Sequence, residues 1–270
     1  MYKERVRAVK APSEEHEFAF FTELTTQARL IGTGSLCTLN QKDLAHRILK
    51  VLRLIPGDTF VLFDDQYSVN ATLNATLVAT TGSSSIAFMV DGLQAHIPLK
   101  PAIHWLLPLL KRDAFEEALY SLVEMGATSL HPYTATKTGR MWLGEKERAR
   151  CRSVMIAAAE QSKQFLIPSL HAVRPLAECL KREPSFYKAH SCTGIFFDAS
   201  GKSLSTTMNE IGAQNSDALV ICSGPEGDLT CEEKRMLADA NFLFCALTPT
   251  VLRAQQAVAV GLGSFRSLMC

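Results

Sequence analysis

The sequence predicts a two-part α/β protein, a small β-rich barrel followed by an alternating strand–helix domain with a mostly parallel sheet. Short β-like runs follow one another closely between Ser35 and Val90, the texture of a small barrel. After Pro98 the rhythm changes to alternating strand and helix, as in parallel-sheet domains. The chain has 270 residues, 47% hydrophobic and 20% charged, which supplies two cores and excludes a disordered or low-complexity architecture. The composition shift places a boundary near residues 91–100, dividing 1–95 from 96–270.

The first 30 residues carry mixed charge and little periodicity; they form an extended arm or an irregular opening strand. Leu36-Cys37-Thr38-Leu39 reads as a strand and Lys42–Leu54 as a short helix, with Leu44, Ile48, Leu49 and Leu52 on one face. Pro56-Gly57 is a turn dipeptide ahead of the strand Thr59–Phe63. Two more β-like runs, Val69–Val78 and Ser85–Val90, flank a Gly/Ser/Thr-rich turn over Thr80–Ser85.

In the second part, Ala102–Leu107 is a strand, and Asp113 is placed to cap a helix with Phe115, Ala118, Leu119 and Leu122 on one stripe. Gly126 sits where a helix-ending glycine belongs. Ser129–Tyr133 is the next strand and Glu145–Ser162 a long helix. Three further strands cover Gly194–Asp198, Ala218–Cys222 and Phe242–Leu247, with helices over Cys231–Ala240 and Leu252–Phe265.

Several function classes drop out. Lys and Arg number 28 against 27 Asp and Glu, a net charge of +1, so a uniformly basic coat for nucleic acid is excluded while a local basic patch is not. The opening Met1-Tyr2-Lys3-Glu4-Arg5 lacks the apolar run of a secretory signal. The apolar stretch Pro101–Leu110 is about half of the roughly 20 residues a membrane helix needs. Eight cysteines without a CxxC pair read as reduced, mostly buried thiols. Seven histidines without HExxH or HxxxH spacing give no metal site. A soluble cytoplasmic protein, free of membrane and metal, is expected. Gly201-Lys202-Ser203 fails as the end of a phosphate loop, because the required earlier glycine is Phe196.

The informative segments are two loops. Ser223-Gly224-Pro225-Glu226-Gly227-Asp228-Leu229-Thr230 follows the apolar strand ending at Cys222 and precedes a helix that Thr230 and Glu233 open as a capping box. It is either a plain strand-turn-helix connection or an exposed loop at a carboxyl strand end, where α/β sheets bind ligands. Leu247-Thr248-Pro249-Thr250-Val251-Leu252-Arg253 follows the strand ending near Ala246. Neighbouring strand ends would bring both loops to one edge, where their backbone groups could hold a polar cofactor. Arg253 opens a helix, the end that already carries positive partial charge. It is a solvated surface arginine or it faces an anion.

Together the segments G-P-E-G-D-L-T and L-T-P-T-V-L-R-A-Q-Q-A resemble the two cofactor loops of the RsmE family, methyltransferases of the SPOUT superfamily that modify uridine N3 in 16S ribosomal RNA. His46–Arg53 with Pro56-Gly57-Asp58 is similar to the family's V-L-R segment and P-G turn. Lys111, Asp113 and Glu124-Met125-Gly126 are similar to its helix ending in E-L-G, and Ala157–Gln161 with Ile167-Pro168 to its A-A-x-E-Q and V-P segments. The resemblance runs in order from about residue 35 to 270.

The resemblance implies a PUA-like β-barrel, an RNA-binding domain over 1–95, and a SPOUT domain with a C-terminal trefoil knot over 96–270. It implies a homodimer that binds S-adenosyl-L-methionine and acts on 16S ribosomal RNA of the small ribosomal subunit. Cys222, Gly224, Pro225, Glu226 and Gly227 would form one cofactor wall, and Leu247, Thr248, Thr250, Val251 and Leu252 the other. Arg253 would orient RNA or stabilise charge on the uracil. Glu226 would brace the cofactor loop or act as a base. Asp228 stands where the family has glycine, Thr248 for glycine, Thr250 for arginine, Gln255 for glutamate and Ala114 for lysine. Candidate RNA contacts are Arg47, Lys50 and Arg53 in the first part and Lys137, Arg140 and Lys163 in the second. The basic run through Lys146, Arg148, Arg150 and Arg152, with Trp142 beside it, suits phosphate and stacking contacts or is a solvated helix face. A knotted RNA-binding or ribosome-assembly protein without turnover, and a SPOUT enzyme with another RNA target, are the alternatives.

Overall fold

The computed structural model describes residues 18–22, 32–74, 85–182, 192–213 and 217–269. Two compact units divide the chain, Met1–Ala95 and His96–Cys270.

In the first unit, strands β1 (Phe18–Phe21), β2 (Leu36–Leu39), β3 (Thr59–Phe63), β4 (Tyr67–Asn74) and β5 (Ile86–Ala95) form one sheet in the order β1-β3-β4-β5-β2. β1 runs parallel to β3, and the other pairs are antiparallel. The opening segment thus contributes a strand at Phe18–Phe21. The turn expected at Thr80–Ser85 lies, over residues 80–84, outside the described residues, as does the end of the run expected to reach Val78. The helix expected over Lys42–Leu54 is shorter: α1 spans Lys42–His46, and Arg47–Val51 continues it as a wider π-helical turn. Leu44 and Ile48 of its apolar stripe are buried in the core with Phe20, Phe60, Leu62 and Phe88, and Leu49 and Leu52 pack on its edge.

In the second unit β6 (Ala102–Pro108), β7 (Ser129–Thr134), β8 (Ser169–Leu170), β10 (Cys192–Ser203), β11 (Ala218–Cys222) and β12 (Leu243–Ala246) are ordered β12-β10-β11-β6-β7-β8. The short β9 (Arg174–Pro175) also pairs with β7. Every pairing is parallel, so all carboxyl strand ends share one edge. Helices are α2 (Arg112–Glu124), α3 (Glu145–Ser162), α4 (Leu176–Arg182), α5 (Leu204–Ala213), α6 (Cys231–Asp239) and α7 (Ala254–Met269). Among the described residues no helix is long and apolar enough to cross a membrane.

Three boundaries differ from expectation for identifiable reasons. α2 opens at Arg112, with Lys111 rather than Asp113 as its N-cap; Asp113 lies in the first turn, where its charge still favours the positive helix end. β10 runs on past Asp198 through a register shift between Phe197 and Lys202 to rejoin β12. Gly201 is required there, since a β-carbon would collide with the backbone of Phe244 and Cys245; Gly201-Lys202-Ser203 is strand. α7 continues past Phe265 because the buried Arg266 guanidinium donates to the carbonyls of Gly126, Pro101 and Met125 at 2.6, 2.9 and 3.1 Å. The Met125 and Gly126 carbonyls so satisfied lie where α2 ends, beside Gly126 at φ 68°.

Candidate active site: a cleft at the carboxyl edge of the parallel sheet

The loops after β11 and β12 do meet at one edge, but not as neighbours. β10 lies between their strands, and the cleft of about 770 Å³ opens across its bulged end. Gly224, Pro225 and Glu226 line one side, and Leu247, Thr248, Thr250, Val251 and Leu252 the other, with Arg253 and Gln255. Cys222 is buried beneath the first loop, and Gly227 turns toward the aliphatic chain of Lys137. The bulge adds Phe197, Asp198, Ala199 and Ser200, and α6 adds Lys234. The sequence reading missed these. Their one signal was the polar run directly after the apolar strand Gly194–Phe197.

The first loop is held from several directions. From below, Trp105 Nε1 donates to Ser223 Oγ at 3.2 Å and Tyr133 Oη to the Ser223 carbonyl at 2.7 Å. From the side, the N–H of Lys111, the N-cap of α2, donates to Glu226 Oε1 at 2.8 Å. Lys137 Nζ donates to the Gly227 carbonyl at 2.9 Å. The Asp228 N–H closes the turn onto the Pro225 carbonyl at 2.9 Å. Asp228 itself adopts φ 59°, the left-handed region that Asp tolerates better than most residues.

The capping box forms in full. Thr230 Oγ1 accepts from the Glu233 N–H at 3.2 Å, and Glu233 Oε2 accepts from the Thr230 N–H at 2.8 Å. The other oxygen, Oε1, takes the Thr136 N–H at 2.7 Å and its hydroxyl at 3.1 Å. Burial opposes ionisation of Glu233, but the Thr230 and Thr136 donors outweigh it and hold the carboxyl below its usual range. One carboxylate therefore fixes both the start of α6 and the loop after β7.

The second loop is more exposed. Thr248 Oγ1 donates to the Thr250 carbonyl at 2.6 Å, which folds the loop on itself. Arg253 precedes Ala254, the first residue of α7, and its carbonyl accepts the Ala257 N–H at 2.8 Å. Its exposed side chain faces the cleft and has no salt-bridge partner among the described residues.

The remaining basic candidates separate. Arg47, Lys50 and Arg53 are exposed on the first unit, with the Arg47 guanidinium 5.2 Å from the Phe20 ring centroid. Lys163 is exposed at the end of α3. Arg140 is engaged inward: its guanidinium pairs with Glu147, donates to the Leu110 carbonyl and lies over Phe115. Glu147, on the same helix as the basic run, is buried and also takes the Leu143 N–H at 2.8 Å. Arg150 is paired with Glu116 at 2.7 Å, and Trp142 packs edge-on against Phe115.

Comparison with known proteins bears on this cleft. The chain is 26% identical over 238 residues to the ribosomal RNA small subunit methyltransferase E of Mycobacterium bovis, covering 87% of each. It is 26% identical over 243 residues to the same-named protein of Bacillus subtilis, covering 88% of this chain and 91% of that one. The fold is shared with a ribosomal RNA small subunit methyltransferase E from Neisseria gonorrhoeae, solved bound to S-adenosyl methionine, with a TM-score of 0.77 at 21% identity over 94% of this chain and 98% of that one. The profile of the RNA methyltransferase domain family matches residues 98–266, the whole sheet and both loops of the cleft, and the chain belongs to that family.

Proposed function

We propose that this protein transfers a methyl group from S-adenosyl-L-methionine to N3 of a uridine in 16S ribosomal RNA of the small ribosomal subunit. The observation that carries the reading is the construction of the cleft: two loops from parallel strands, one rigidly braced, with an arginine at the mouth that has no salt-bridge partner among the described residues. A volume of about 770 Å³ falls within the ~300–1,000 Å³ of small-molecule sites. Its floor of Phe197, Leu247 and Leu252 and its Gly224-Pro225 backbone suit a ligand with an apolar stem and polar ends.

When bound, the cofactor supplies a methyl group on a positively charged sulfur. The chain's own residues position and shield. Loop backbone groups hold the donor in line with the acceptor. The chain would present uracil N3 to that methyl carbon with the N3 proton lost to solvent, so that the new bond to N3 would replace the carbon–sulfur bond. Arg253 offsets the negative charge that the uracil acquires. Glu226 has a carboxylate oxygen committed to the Lys111 N–H, and it serves as a brace. Exposed Arg47, Lys50, Arg53, Lys137 and Lys163 meet RNA phosphates.

The protein acts as a cytoplasmic homodimer; on α7, Val260 and Leu268 are 39% and 58% exposed, an apolar surface for a second copy. The test is transfer of labelled methyl from S-adenosylmethionine to small subunits lacking the modification, with the product mapped. Labelled N3-methyluridine is expected. No incorporation, with cofactor binding intact in the same preparation, overturns the reading and favours an RNA-binding protein without turnover.

A further inference from the structure

Lys234 joins the bulge of β10 to one side of the cleft through one ammonium group. Its Nζ lies 2.6 Å from Asp198 Oδ2, on the bulged end of β10, and 2.7 Å from Asp228 Oδ2, in the loop after β11. Each carboxylate uses its remaining oxygen to shape its own loop. Asp198 Oδ1 accepts the Ser200 N–H at 2.8 Å and its hydroxyl at 2.6 Å; Asp228 Oδ1 accepts the Leu229 N–H at 2.7 Å. All three side chains belong to cleft-lining residues.

Helix stability does not explain this placement. Lys234 is the fourth residue of α6, in the turn where the helix dipole disfavours a cation. Asp228 holds φ 59°, a conformation glycine would adopt at lower cost. Glycine there would serve the backbone and leave Lys234 with Asp198 alone. Burial opposes both charges, yet Lys234 and the two Ser200 donors hold the Asp198 carboxyl below its usual range, and Asp198 and Asp228 raise the Lys234 ammonium above its own.

We propose that Asp198, Lys234 and Asp228 form an ionic clasp that ties the β10 bulge to the loop after β11 and slows departure of S-adenosylmethionine from the cleft. The inference rests on the cofactor assignment above. These are positioning residues: the clasp holds the loop after β11 in place against the β10 bulge. The limb to Asp228 is the weaker, because that side chain is 60% exposed against 8% for Asp198.

The experiment measures dissociation of S-adenosylmethionine from the full chain by stopped-flow displacement, with a thermal melt of each variant. Asp228→Gly keeps the backbone conformation and removes one limb; Asp228→Asn keeps the side-chain shape without the charge. Both are expected to speed dissociation about 2- to 5-fold. Lys234→Met is expected to speed it by about tenfold or more. In Lys234→Met/Asp228→Gly the second change adds nothing, since its partner is already gone. A wild-type chain that binds no S-adenosylmethionine overturns the cofactor assignment and the clasp together. Binding with equal dissociation rates in wild type and all four variants, or full additivity in the double variant, overturns the clasp alone.

Discussion

Tyr133 Oη donates a 2.7 Å hydrogen bond to the carbonyl of Ser223, reaching from β7 past the intervening strand β6 to the first residue of the loop after β11. Tyr133 is fully buried. Burial, reinforced by the neighbouring Cys222 thiol, keeps the hydroxyl protonated far above the usual phenol range, so it is a donor at every working pH. The orientation of the Ser223 peptide, and with it the start of the loop that lines the cleft, depends on this donor.

Tyr133→Phe removes the donor without changing the packing and leaves the Ser223 carbonyl short of a partner in a dry site. The expected cost is ~1–3 kcal/mol in unfolding free energy. Cofactor affinity falls as well, because the loop loses its fixed start. Denaturant unfolding and calorimetric titration of the same variant check the two effects; an unchanged dissociation constant would mean that the other tethers, from Trp105, Lys111, Lys137 and Lys234, hold the loop without it.

Glu226 separates bracing from base catalysis. Gln at this position keeps an oxygen acceptor for the Lys111 N–H and cannot take up a proton, whereas Ala loses both. A brace predicts near-normal turnover in Glu226→Gln and weakened cofactor binding, about fivefold to tenfold, in Glu226→Ala, the loss of a charge-assisted bond part-screened by solvent. A base predicts that both variants lose turnover. Single-turnover methylation at saturating cofactor distinguishes them.

Local signals carried much of the fold. α3 runs over the expected Glu145–Ser162, and the capping box at Thr230 and Glu233 marks the start of α6. What stayed hidden depends on contacts distant in sequence. The N-cap of α2 lies at Lys111 because its N–H meets Glu226, a partner no local pattern identifies. The bulge of β10 follows from close approach of the Phe244–Cys245 backbone to Gly201. Lys234 reads as an ordinary helix-surface lysine until Asp198 and Asp228 converge on it. The loops of the cleft were legible because Gly, Pro and a capping pair punctuate them. The basic side chains were less so: sequence alone could not distinguish exposed Lys163 from inward-turned Arg140.

Glu233→Ala deletes acceptors for the Thr230 and Thr136 backbone N–H groups together. Loss of the box and of the Thr136 tether is expected to cost ~2 kcal/mol. The sign with pH follows from the depressed carboxyl: the contribution is present above the ordinary carboxylate pKa and is lost as pH falls through the lower folded value. Unfolding curves of wild type and variant should stay a constant distance apart from pH 6 to pH 8 and converge below about pH 4.

The His131 ring supplies a separate pH response in a different window. His131 is 7% exposed, stacked on His171 with centroids 4.1 Å apart. Its Nε2 lies 2.8 Å from Ser129 Oγ, which is 2.7 Å from His104 Nδ1. Burial, then His171, His104 and Arg174, lowers its pKa to about 3. The unfolded chain binds this proton near pH 6.5 and the folded chain does not, so stability rises with pH across that interval and falls as pH drops from 6.5. The expected loss is ~2 kcal/mol between pH 6.5 and pH 5, above the range where the carboxylates titrate. His131→Gln keeps a polar partner for Ser129 and has no proton to take up. Denaturant unfolding at pH 7, 6 and 5 should therefore show a steeper decline in wild type than in the variant; parallel declines would place the proton uptake elsewhere.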